Sequence, residues 1–180
     1  MLGDTATVLE RLVEDTLRLM NEGLPLDAIV NAVKVDPEML RKPYLVPRYD
    51  EPEFVVRNVY RAYGGWYDGN PAHLKPPAES ALARELADLA GGASELVRRA
   101  EALAEAGDLR LACSLVELAV GADPESRDAH AARFEIYRER RKAETSLMAK
   151  GIFGTAARDS FAVAHPGEPD PLGRSGGLAI

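Results

Sequence analysis

Residues 93–125, ASELVRRAEALAEAGDLRLACSLVELAVGADPE, decide the fold. Leu96, Ala100 and Leu103 recur at spacings of four and three, and the same spacing returns at Ala112, Val116 and Ala119. Each set traces one apolar stripe along a helix. Gly107-Asp108 makes the turn between them and Pro124 closes the unit. Three of the six stripe residues are alanine, which lets two helices approach closely. The stretch therefore reads as a helical hairpin.

Working outward, the hairpin resembles one tetratricopeptide unit, a helix pair of about 34 residues. Only one full unit is visible, with His130, Phe134 and Tyr137 as a weak start of another, so a peptide-binding solenoid of three repeats is not supported. Upstream, apolar residues again recur every three or four positions and period-two alternation is nearly absent, which predicts an all-α helical bundle. A first helix is expected from about Asp4 to Glu22, with Leu9, Leu12, Val13, Leu17 and Met20 on one face, Thr7 and Glu10 spaced as a capping box, and Gly23 as its stop. A shorter helix starts at Pro25, Asp36-Pro37 opens a further turn, and Pro52 opens a helix with Val56, Val59, Tyr60 and Tyr63 on one face. Two amphipathic segments flank Gly91-Gly92, near 78–90 and 93–106, and a last helix runs from about Ser126 into YRERRKAE. Residues 151–180 hold six of the 15 glycines and three of the 12 prolines, so residues 149–180 are expected to be a flexible, disordered tail behind a domain of residues 1–148.

The whole chain has 180 residues and a net charge of −7, from 22 basic and 29 acidic side chains. That balance argues against general binding to nucleic acid or anionic membranes. No apolar run approaches the length of a membrane span, and the acidic N-terminal stretch does not read as a signal peptide. Cys113 is the sole cysteine, which excludes an internal disulfide and fits a reducing cytoplasm.

Motifs for chemistry are few. His73, His130 and His165 are far apart and lack the paired spacing of a zinc site, so they read as a loop, a helix-surface and a tail histidine. GGWYDGNP carries glycines without the flanking strand and helix of a phosphate-binding loop. Cys113 reads as a core thiol, and Arg138, Arg140, Arg141 and Lys142 alternate with glutamates as a mixed-charge face. The anomaly is aromatic. Tyr44, Tyr49, Phe54, Tyr60, Tyr63, Trp66 and Tyr67 are seven of the eleven aromatic residues, within 24 positions. They read equally as a core nucleus and as an interface, since tyrosine and tryptophan are enriched where one rim stays wet. Asp68, Gly69, Asn70 and Pro71 give a tight turn beside them.

Three segments in order, DTLRLMNEGLPLDAIV (15–30), RNVYRAYGGWYDGNPAHL (57–74) and the run from Leu89 to Ser126, are similar to the dimerisation domain of the alkyl sulfatases, hydrolases of the metallo-beta-lactamase superfamily. TLRLMNEG and the turn from Gly65 to Pro71 are the most distinctive pieces, and the likeness covers about Thr5 to Met148. The resemblance implies a helical fold that pairs two subunits. It also implies a dinuclear zinc domain elsewhere in the family, whose His-x-His-x-Asp-His motif has no counterpart here, so no cofactor, metal site or catalytic residue is expected in these residues. Three readings stay open: a free-standing dimeriser, a truncated gene product, or the second half of a split enzyme whose zinc-bearing chain is separate. For pairing, Leu12, Leu17, Met20, Tyr60, Tyr63, Trp66 and Tyr67 are the expected contact residues of a homodimer, with Gly65, Asp68, Gly69, Asn70 and Pro71 holding the turn. In the split-enzyme reading, the loop PYLVPRYDEPE (43–53) leans over a partner hydrolase's zinc site, with Arg48 or Tyr49 supplying a hydrogen bond.

Overall fold

A computed structural model of the chain describes residues 1–173. Among them every regular element is helical: α1 (Leu2–Asn21), α2 (Leu26–Ala32), α3 (Pro37–Leu40), α4 (Pro52–Gly64), a 3₁₀ turn (Pro71–His73), α5 (Glu79–Ala90), α6 (Ala93–Glu105), α7 (Leu109–Ala122), α8 (Arg127–Ala143) and α9 (Leu147–Ala164). Two compact units result.

The first unit is Met1–Pro76 with Thr145–Met148. Its core is Leu12, Leu19, Ile29, Val30, Val33 and Val56, contributed by α1, α2 and α4. The inward stripe of α1 is Leu12, Thr16 and Leu19, whereas Leu9 stands exposed. Thr16 is admitted to that core because its hydroxyl donates to the Leu12 carbonyl at 2.6 Å. The expected capping box does not form. Helix α1 already begins at Leu2, so Thr7 and Glu10 lie inside it, exposed, and no side chain caps its start.

The second unit is Pro77–Glu144 with the chain from Ala149 onward. Here the hairpin is as its spacing predicts: Leu96, Ala100 and Leu103 of α6 and Ala112, Val116 and Ala119 of α7 are all buried. Asp108 starts α7 by accepting the Leu111 amide at 3.1 Å, and Gly107 turns with φ +86°. Helix α5 also approaches α7 closely, where a Cβ on Gly121 would lie 3.1 Å from that of Ala83. Phe134, Ile136 and Tyr137 of α8 complete the core.

Residues 149–164 correct the tail reading, because they form most of α9. Ala149, Phe153, Ala157 and Phe161 recur every four residues, and Phe161 packs on Phe134 while Phe153 packs on Tyr137, with ring centroids 5.0 and 5.6 Å apart. Gly154 sits mid-helix where a Cβ would meet the Arg141 side chain at 3.1 Å. Of the glycines and prolines in residues 151–180, only Gly151 and Gly154 fall in this helix, and the others follow it. The part of the expected tail at residues 174–180 lies outside the described residues.

Candidate functional site

The end of α4 and the turn after it build an exposed aromatic surface on the first unit. Gly65, at φ +81°, ends the helix and turns the chain in a way that a side chain would resist. Tyr60 then donates from its hydroxyl to the Tyr67 carbonyl at 2.9 Å, and the Asp68 carbonyl accepts the Leu26 amide at 3.0 Å, tying the turn to the start of α2. Asp68 Oδ1 accepts the Asn70 amide at 2.9 Å, and Asn70 Oδ1 accepts the Ala72 amide at 3.1 Å, which starts the 3₁₀ turn with Pro71 in its first position. His73 closes the ring, with Nδ1 2.5 Å from Asp68 Oδ2 and Nε2 3.2 Å from Asn70 Nδ2. The network assigns the proton to Nδ1, facing the carboxylate, and leaves Nε2 to accept from the amide. The Asn70 amide, and then the His73 ring, hold the Asp68 carboxyl below its usual range. Gly69, at φ +95°, lies so close to Pro25 that a Cβ would be 3.0 Å from the proline Cβ.

This rigid turn leaves its aromatic residues in water. Trp66 is 72% exposed and Tyr63 69%, while Tyr67 stands edge-on to Trp66 with ring centroids 6.1 Å apart. Of the other residues expected to pair subunits, Tyr60, Leu17 and Met20 are half-buried and Leu12 is only 3% exposed. Leu12 is thereby corrected: its face of α1 is covered by Ile29, Val30 and Val56 of the same chain, leaving nothing to offer a partner. Arg48 and Tyr49 lie elsewhere on the unit, both exposed, in a loop whose backbone is pinned. The Arg48 carbonyl accepts the Leu147 amide at 2.7 Å and the Tyr49 carbonyl accepts the buried Ser146 hydroxyl at 2.6 Å.

A family model described as alkyl sulfatase dimerisation matches residues 26–161. The chain belongs to this family. It is 31% identical over 159 residues to an (R)-specific secondary-alkylsulfatase of a Pseudomonas species, covering 88% of this chain and 24% of that protein. It is 32% identical over 116 residues to an alkyl/aryl-sulfatase of Saccharomyces cerevisiae, covering 64% and 18%. The solved structure of a stereoselective inverting sec-alkylsulfatase from a Pseudomonas species superposes with a TM-score of 0.80 at 30% identity, covering 93% of this chain and 26% of that one. The chain thus spans about a quarter, or less, of the length of the alkylsulfatases that it matches.

The described residues do not fit the dinuclear zinc centre that the resemblance implies for the catalytic domain. Among the described residues no three His, Cys, Asp or Glu side chains group as metal ligands, and each histidine has another engagement. His73 bonds to Asp68 and Asn70, and His165 stacks on Phe161 at 4.7 Å. His130 is buried, which corrects its reading as a helix-surface residue: Nε2 lies 3.0 Å from the Pro124 carbonyl and Nδ1 3.1 Å from the Ser160 hydroxyl. Cys113 is half-buried, and burial pushes its thiol up to about 11, so it stays protonated and packs. Sequence reasoning also missed that His73 completes the turn, because a five-residue contact inside a loop leaves no periodic signal.

Proposed function

We propose that this chain is a non-catalytic self-association module that pairs two copies through the aromatic turn of the first unit, as a homodimer in a reducing cytoplasm. The observation that carries the reading is the exposure of Tyr63 at the end of α4 and of Trp66 on the turn that follows, which is held from Gly65 through His73 by hydrogen bonds within it and to Tyr60 and Leu26. A tryptophan left in water costs apolar hydration, and one fixed in a rigid setting loses little entropy on burial, which is the character of an interface anchor. Its membership of a family named for dimerisation supports the same function. The hairpin of α6 and α7 serves, in this reading, as a tetratricopeptide-like packing module.

Light scattering coupled to size-exclusion chromatography tests this directly. A mass twice that of the 19.5 kDa chain at micromolar concentration is the expected result, and a monomer throughout that range contradicts it.

A second reading rests on the loop at Arg48 and Tyr49. Two backbone anchors hold it in place while both side chains face solvent, an arrangement suited to reaching into a site on another chain. In that reading the chain completes an alkyl sulfatase-like hydrolase in trans, with zinc held by the partner. Alkyl-sulfate turnover by the purified pair, lost on Arg48→Ala and Tyr49→Phe, is the expected outcome; turnover unaffected by either change contradicts it.

A further inference from the structure

A groove of about 970 Å³ lies along α6 and α8 in the second unit. Its floor includes Val97, Ala132 and Ile136, and its walls carry Glu101, Glu105, Asp123, Asp128, Glu135 and Glu139, with no lysine or arginine in the lining. Glu135 and Glu139 are paired with Arg138 and Lys142, the ordinary arrangement of a solvated helix face. Glu101, Glu105, Asp123 and Asp128 have no ion pair among the described residues. The lining runs from Ser94 to Glu105 on α6 and from Asp128 to Glu139 on α8, about 16 Å on each helix. That length accommodates about five residues of extended chain.

We propose that this groove docks a basic segment of another polypeptide, with an apolar side chain on the Val97 and Ile136 floor and lysine or arginine side chains against Glu101, Glu105 and Asp128. Charge complementarity selects the occupant: four uncompensated carboxylates flank an apolar strip, so an acidic or neutral segment would be repelled or would leave them unpaired. Glu101 and Glu105 lie one helical turn apart on α6 and Asp128 lies in the first turn of α8, a spacing that suits a chain of separated cations. This surface is on a different unit from the aromatic turn and stands or falls independently of it.

The test uses a fluorescein-labelled hexapeptide, Lys-Leu-Arg-Lys-Leu-Arg with blocked ends, in fluorescence anisotropy against the full chain at low ionic strength. Saturable binding is expected, weakened about tenfold or more by Glu101→Gln with Asp128→Asn. A Glu10→Gln with Glu14→Gln variant removes as much charge from exposed positions of α1 and is expected to bind like the wild type. Circular dichroism melts confirm that both variants are folded. Absence of binding overturns the proposal, and so does equal weakening in both variants, which marks attraction to the acidic chain as a whole. Binding seen only when the chain is monomeric also overturns it, because the groove would then belong to a second copy.

Discussion

Replacing Gly69 by alanine tests whether the aromatic turn is as constrained as its geometry implies. Two costs act together. An L-residue in the left-handed region loses about 1–2 kcal/mol, and Gly69 has φ +95°. The new methyl would also lie 3.0 Å from Pro25 Cβ and 3.2 Å from Pro25 Cα, and overpacking against backbone costs about 1–3 kcal/mol. Alanine returns about 0.4–1 kcal/mol by restricting the unfolded chain. The net expectation is a loss of about 1–4.5 kcal/mol, lowering the urea midpoint by about 0.5–2 M at a slope of about 2 kcal/mol/M. Gly23→Ala is the control within the same unit, because Gly23 has φ +82° but nothing within 4 Å of its Cβ position. It should lose only the backbone cost, about 0–1.5 kcal/mol after the same correction. Urea unfolding followed by far-ultraviolet circular dichroism reads both. If Gly69→Ala unfolds with Gly23→Ala, the contact with Pro25 contributes nothing; if it unfolds with the wild type, the turn is not constrained at all.

Three further outcomes follow from the packing and the electrostatics. A chain ending at Met148 loses Phe153 and Phe161 from their contacts with Tyr137 and Phe134, so its circular dichroism melt should fall well below that of the full chain; an unchanged melt would restore the tail reading of residues 149–164. Asp68 has its carboxyl lowered in the folded state, so its contribution to stability is present above the ordinary value of 3.8 and is lost as pH falls through the lower, folded value; Asp68→Asn should flatten that acid limb in urea midpoints taken across pH. Cys113, with its thiol near 11, should react with a disulfide reagent near pH 8 far more slowly in the folded chain than in urea, and equal rates would place it at the surface.

The hairpin was legible in the sequence because packing between two helices of one chain imposes the spacing directly: Leu96, Ala100 and Leu103 are buried by the residues that their pattern selects. The same logic misleads at Leu12. Periodicity shows that one face of α1 must be covered, and it is silent on whether the cover comes from Ile29 and Val56 or from a second chain. Trp66 illustrates the reverse case, since a cluster of aromatic residues has the same composition in a core or on a surface; only the turn geometry, with Gly65 ending α4 and Asp68 bonded to His73, turns that ring outward. The α9 helix is hidden because a compositional count treats every glycine as a break, whereas Gly154 sits inside the helix where the Arg141 side chain leaves little room for a Cβ.

Sedimentation equilibrium of the wild-type chain beside Trp66→Ala tests the pairing surface most directly. Trp66 is 72% exposed, so its removal should leave the monomer's unfolding free energy within about 0.5 kcal/mol of the wild type. At a two-fold interface the ring is lost from both subunits, and at about 2 kcal/mol for each interface anchor the dimer should weaken by several hundredfold. A wild-type dimer that dissociates in the variant is the predicted result. A dimer of equal strength in both proteins, or a wild-type chain that never associates, would contradict the assignment of the aromatic turn as the surface that joins two copies.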